Sequence, residues 1–109
     1  MNDSRISQLK KFIQDSPDDP FVKYALALEY VKANNEEASG LFDELLSSHP
    51  NYLPAYYHAA DYYAETEQTE KAKEAYEKGI ELSKKTNDLK AQAELQNAYQ
   101  NFLFEIDDL

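Results

Sequence analysis

The sequence predicts an all-α protein, an α-solenoid of antiparallel helix pairs with about six helices. Three observations predict it. Apolar residues recur at spacings of three and four along most of the chain, the period of a helix with one buried face. Glycine and proline number only 2 and 4 in 109 residues, too few for the turns of a β sandwich or barrel. The helical pattern also repeats. Ala27 and Tyr30 map onto Ala60 and Tyr63 at a separation of 33, and Ala38 and Phe42 onto Ala72 and Tyr76 at 34. A two-helix unit with that period stacks on its neighbours. The one-residue difference falls in the turn between paired helices, where a deletion disturbs least.

The first helix is expected at about 4–15, with Ile6, Leu9, Phe12 and Ile13 on one stripe and Asp3 or Ser4 as its cap. Ser16-Pro17-Asp18-Asp19-Pro20 ends it, and Pro20 suits the first turn of the next helix, where no N–H is needed. That second helix, about 20–33, carries Tyr24, Leu26, Ala27, Leu28, Tyr30 and Val31. It is apolar around much of its circumference, so neighbours are expected on both sides. Asn34-Asn35 breaks it, and Asn34 with Glu37 resembles a capping box for a third helix at about 36–48. The third helix packs through Ala38, Leu41, Phe42, Leu45 and Leu46 and stops at His49-Pro50-Asn51. A fourth, about 53–66, has Pro54 in its first turn and turns Ala55, Tyr56, Ala59, Ala60 and Tyr63 inward.

Glu67-Gln68-Thr69 then leads to a fifth helix at about 70–85, with Ala72, Ala75, Tyr76, Gly79 and Ile80 as its stripe. Thr86-Asn87-Asp88 offers caps for a sixth, about 88–105, whose main face is Leu95, Ala98, Tyr99, Phe102 and Ile106. Turns this short make consecutive helices antiparallel neighbours. The expected organisation is a single domain over 1–109: an N-terminal capping helix at 4–15, repeats at 20–50 and 53–85, and a C-terminal capping helix at 88–106.

Composition narrows the function. Apolar residues make up 42% of the chain and aromatics 13%, enough to form a core and to set disorder aside. Eleven basic against 21 acidic side chains give a net charge of −10. Nucleic acid and anionic membranes are repelled by such a field, while a neutral or basic protein segment is not. The plain alternative is that the acidity keeps the chain in solution. Without cysteine there is no disulfide, thiolate zinc site or cysteine nucleophile. Met1-Asn2-Asp3-Ser4-Arg5 lacks the basic-then-apolar pattern of a signal peptide, and no long apolar run follows; a cytoplasmic protein is expected.

Little in the chain points to catalysis. Gly40 and Gly79 stand singly inside expected helices, so no glycine-rich phosphate loop can form. Each costs about 1 kcal/mol there relative to alanine, which close backbone approach would offset, with Gly79 facing a neighbouring helix. His49 and His58 are the two histidines, and no motif joins either to a serine and an aspartate. His58, Asp61 and Glu65 share one face of the fourth helix at spacings of three and four, beside Tyr57. One nitrogen and two carboxylates on one rigid helix is a thin metal set, and a solvated polar face or a binding surface reads the same residues without it. No enzyme, cofactor or metal is expected.

Tyr56, Ala59-Ala60, Tyr63, Ala72 and Tyr76, preceded by Leu26-Ala27, Tyr30, Ala38, Phe42 and Pro50, resemble the tetratricopeptide repeat pattern. That family places a large aromatic, a Leu-Gly pair and a Tyr on one helix, then an Ala, an aromatic and a closing Pro on the next. Lys23 stands where the leading aromatic belongs, Ala27 and Ala60 where Gly does, and Lys84 where the second Pro does. The resemblance covers about 20–85, and the whole arrangement is similar to small bacterial proteins with two such repeats. It implies a protein–protein interaction module, a scaffold or adaptor whose first helices line a concave groove. Carried over, the groove residues are Phe21, Tyr24, Ala25, Leu28 and Lys32, then Tyr57, His58, Asp61 and Glu65. Such a groove is aromatic at one end and acidic at the other, suited to a protein or peptide segment with apolar and basic residues. Some members clamp a C-terminal carboxylate with Lys and Asn; Leu28 and Asp61 stand at the corresponding positions here, so that specificity is not implied.

A second candidate surface lies in Phe102, Leu103 and Phe104. One helix face cannot bury three consecutive apolar residues. With Phe102 against the core, Leu103 or Phe104 is left outward, either folded back or as a homodimer patch. Asp107-Asp108-Leu109 reads as a solvated tail.

Overall fold

A computed structural model describes residues 2–106, with the side chains of 4–106. Among them are six helices and no strand: α1 (Asn2–Asp15), α2 (Pro20–Lys32), α3 (Glu37–Ser48), α4 (Pro54–Glu65), α5 (Thr69–Lys85) and α6 (Leu89–Glu105). The all-α class and all six helices are those the periodicity predicts. No helix among these residues is long and apolar enough to cross a membrane. The proposed tail, Asp107-Asp108-Leu109, lies outside the described residues.

The helix ends repeat one device. Asn34, Glu67 and Asn87 all take left-handed backbone, with φ of 55°, 62° and 59°. At each, the next N–H reaches back to close the helix: Asn35 to the Tyr30 carbonyl, Gln68 to Tyr63 and Asp88 to Ser83, at 2.9, 2.8 and 2.8 Å. The left-handed residue itself donates to Val31, Ala64 and Lys84 respectively. This pair of bonds satisfies carbonyls a helix end would leave open and turns the chain sharply. It is how the connections between α2 and α3, α4 and α5, and α5 and α6 stay so short.

The starts differ more from expectation. Asp19 caps α2 by accepting from the Phe21 N–H at 3.0 Å, with Pro20 in the first turn. Asp88 caps α6 through the Ala91 N–H, also at 3.0 Å. For α3, the side chain that accepts the Glu37 N–H at 2.9 Å is Asn35 and not Asn34. Asn34 is committed to the left-handed position that ends α2, so the cap passes to its neighbour. For α1, the helix begins at Asn2. Asp3 and Ser4 therefore lie inside it, and a cap must stand outside.

The chain divides into two compact units, Met1–Ala55 and Tyr56–Leu109. In the first, α2 packs against both α1 and α3, as its apolar circumference requires. Leu9, Leu26, Ala27, Tyr30, Ala38, Phe42 and Leu45 form the core, with Ala27, Ala38, Phe42 and Leu45 fully buried. Phe12, expected inward, is 54% exposed. It sits at the margin of the stripe centred on Leu9 and Ile13, where a helix buries only one side. Two charged residues are buried that sequence patterning counts as polar. The Lys23 ammonium meets the Glu44 carboxylate at 2.6 Å, and Glu29 receives Arg5 at 3.3 Å and Lys32 at 3.4 Å. Lys23 thus replaces the expected aromatic with an apolar stem and a paired head.

In the second unit, Tyr56, Ala59, Ala60 and Tyr63 of α4, Ala72, Ala75 and Tyr76 of α5, and Leu95 and Phe102 of α6 are buried. Gly79 admits close packing. A Cβ there would lie 2.8 Å from Tyr56 Cβ and 3.2 Å from Leu95 Cδ1, so α4, α5 and α6 meet at this position. Gly40 differs: nothing lies within 4 Å of where its Cβ would be, and close approach does not explain it. Ser83 is fully buried and donates to the Ile80 carbonyl at 2.7 Å.

Candidate functional site

The candidate residues divide between the two units. On α2 of the first, Phe21, Tyr24, Leu28 and Lys32 recur at spacings of three and four and so share a helix face. Phe21 is 61% exposed, while Tyr24 and Leu28 are half-buried. Tyr24 packs edge-to-face on Tyr52, with ring centroids 5.7 Å apart. Burial pushes both phenols above their ordinary pKa, each further raised by a neighbour: Tyr52 acts on Tyr24, and Asp19 on Tyr52. Lys32 is exposed and tied to Glu29 on its own helix.

On α4 of the second unit, Tyr57, Asp61 and Glu65 follow at intervals of four and form one exposed face. Tyr57 and His58 meet edge-to-face at 5.6 Å. Among the described residues, no three His, Asp or Glu side chains gather in a metal-binding group, so His58, Asp61 and Glu65 do not converge on a cation. A helix rises 1.5 Å per residue, which spreads their heads along the face.

A residue that patterning assigns only to packing feels the charge of this face. Tyr76 of α5 is 3% exposed, its ring stacked on Tyr99 at 5.4 Å and tilted against Phe102 at 5.6 Å. Its hydroxyl makes no hydrogen bond with the described residues. Burial pushes the Tyr76 phenol up to about 12, reinforced by Asp61, Tyr57, Glu105 and Glu65 in that order. Acidic groups of α4 and α6 thus act on the charge of a phenol that α5 holds in the core. Its signal in the sequence is the oxygen itself: at a core position a phenylalanine would fill the same space, and a tyrosine needs an outlet for its hydroxyl. Tyr99 beside it donates its own hydroxyl to Glu77 at 2.6 Å.

At the end of α6, Phe102 is buried at 5% exposure and Phe104 is 59% exposed, with Leu103 intermediate. The inward member of the apolar triplet is thus Phe102, and the outward one Phe104.

The family profile for the tetratricopeptide repeat matches residues 53–86. Two solved structures of a tetratricopeptide repeat domain protein from Salinibacter ruber are similar to the chain. The crystal structure is 38% identical with a TM-score of 0.72, covering 77% of this chain and 94% of that one. The solution NMR structure is 38% identical with a TM-score of 0.73, covering 80% and 89%. No curated protein matches the sequence.

Proposed function

The chain belongs to the tetratricopeptide repeat family, whose domains are protein–protein interaction modules, and from that membership we propose that it works as a non-catalytic scaffold or adaptor. Its docking face takes a segment of another protein against Tyr57, Asp61 and Glu65 of α4. The observation that carries this reading is the exposed face of α4 on which Tyr57, Asp61 and Glu65 follow at intervals of four, with the Tyr57 ring 38% exposed. An exposed aromatic ring beside two carboxylates favours a segment that brings apolar and basic residues together. Phe21, Tyr24, Leu28 and Lys32 form a second docking face on α2, one that offers apolar surface with less charge. Two repeats present a small area, so micromolar or weaker affinity is expected.

Selection of displayed peptides on the folded protein tests the proposal. Segments combining apolar and basic residues should be enriched, and Tyr57→Ala and Asp61→Lys should each lose them. Enrichment unchanged by both substitutions would put the docking surface elsewhere. A second reading is favoured by Phe104, whose ring stands 59% exposed at the end of α6: self-association through Phe104 and Leu103. Sedimentation at micromolar protein should then show a dimer that Phe104→Ser dissociates, and a strict monomer would end that reading.

A further inference from the structure

The last helix presents a face without charge. Leu89, Ala93, Gln96, Gln100 and Phe104 follow one another at intervals of three and four residues, so they share one side of α6, away from the buried Leu95 and Phe102. All five are exposed, Leu89 at 70% and Phe104 at 59%. Charged residues make up 29% of the chain, and the exposed faces of α3 and α4 carry Asp43 and Glu44, and Asp61 and Glu65. The charges of α6 itself, Lys90, Glu94 and Glu105, stand to one side of the neutral stripe. Loss of charge beside exposed apolar side chains marks the centre of a protein–protein contact.

We propose that this face pairs with the same face of a second copy, the two α6 helices lying antiparallel so that Leu89 of each meets Phe104 of the other. The inference rests on reading Phe104 as a self-association contact and adds the residues it meets. Charge singles out a second copy as the occupant. Each chain carries a net charge of −10, so two copies repel and join best where neither brings a carboxylate. A basic segment of another protein, drawn to the acidic surface elsewhere, finds no carboxylate on this stripe. A two-fold axis also sets a surface against itself. Amides suit that demand, since each can donate to and accept from its own kind, whereas a carboxylate meeting its copy cannot. Gln96 and Asn97 stand at the midpoint between Leu89 and Phe104. Antiparallel pairing about that midpoint sets the small Ala93 opposite the long Gln100. A parallel pairing would put Gln100 on Gln100 and Ala93 on Ala93, crowding one level and leaving a gap at the other.

Sedimentation of the intact chain and disulfide trapping together read the pairing. A dimer in the micromolar range is expected, which Leu89→Ser and Phe104→Ser should each weaken at least about tenfold. Both side chains are exposed in the single chain, so neither substitution disturbs its fold. Raising the salt concentration should strengthen the dimer, because salt screens the repulsion between two acidic chains and finds no ion pair to weaken. The chain has no cysteine, so introduced thiols report only their own positions. Mild oxidation of an equimolar mixture of Ala93→Cys and Gln100→Cys chains should give the mixed disulfide. Ala93→Cys alone, its two thiols about 10 Å apart along the paired helices, should not cross-link. Self-linked Ala93→Cys chains in place of the mixed product overturn the pairing while self-association through Phe104 stands. So does a dimer that Leu89→Ser leaves intact or that salt weakens. A strict monomer overturns both readings and leaves the face to a different protein.

Discussion

The Cβ that Gly79 lacks would lie 2.8 Å from the Cβ of Tyr56, nearer than two such carbons pack. Glycine at this point of α5 is therefore a condition of the helix pair. Gly79→Ala should destabilise the protein by about 1–3 kcal/mol through overpacking. Gly40, with nothing within 4 Å of its missing Cβ, should behave in the opposite way. Gly40→Ala should stabilise by about 0.5–1 kcal/mol, because alanine favours a helix and narrows the unfolded ensemble. Urea unfolding midpoints of the two variants, moving in opposite directions, check both statements.

The pairing of Lys23 with Glu44 at 2.6 Å stands where the family pattern has an aromatic. The lysine side chain is nearly buried and the glutamate half-exposed, at 9% and 49%. Removing one partner should matter more than replacing the buried one by an apolar side chain of its shape. Glu44→Ala is expected to cost about 1 kcal/mol, and Lys23→Met to stay within about 1 kcal/mol of the parent. A Lys23→Met loss several times larger than that of Glu44→Ala, in chemical denaturation, would show that the ammonium does more than satisfy its site.

Glu67 holds φ at 62°, a conformation that a side chain with a Cβ adopts at a cost of about 1–2 kcal/mol. Asn34 and Asn87 occupy the same place at the ends of α2 and α5, and asparagine tolerates it better. Glu67→Asn and Glu67→Gly should each raise stability by about 0.5–1 kcal/mol. Thermal unfolding of the two variants reads this, and a fall in midpoint for both would contradict the shared helix-end geometry.

These residues also mark how far patterning reaches. Spacing identifies which helix face turns inward, so Ala60, Tyr63, Phe42 and the role of Gly79 were legible, and so was the doubled hairpin. Spacing does not decide between adjacent residues at a helix end. The bond to the Glu37 N–H expected of Asn34 is made by Asn35, and Glu67 gave no sign of its left-handed backbone because its side chain is no turn former. Amphipathic side chains mislead in the same way: Lys23 and Glu29 count as polar, yet each is buried with its head paired. The candidate face on α4 was legible as an acidic stripe beside Tyr57. The influence of that stripe on the Tyr76 phenol was not, because Tyr76 lies on another helix.

Alkaline pH should weaken the fold in a defined window. The Tyr76 phenol titrates near 12 in the folded chain against 10.0 for the ordinary group, and burial raises Tyr24, Tyr52 and Tyr56 as well. In that interval the unfolded chain has lost protons that the folded one retains. The corresponding stability is whole below pH 10.0 and declines as pH rises toward about 12. Denaturation curves across this range, with tyrosinate absorbance followed in parallel, should show the decline. Tyr76→Phe should make it shallower; an equally steep decline in that variant would remove Tyr76 from the cause.

The docking face is tested most directly by mapping where a selected peptide sits. Backbone amide shifts of the whole chain, recorded with the tightest segment recovered by display, should change along α4 at Tyr57, Asp61 and Glu65. Shifts concentrated instead on the solvent side of α3 or at the exposed end of α6, with α4 silent, would contradict it.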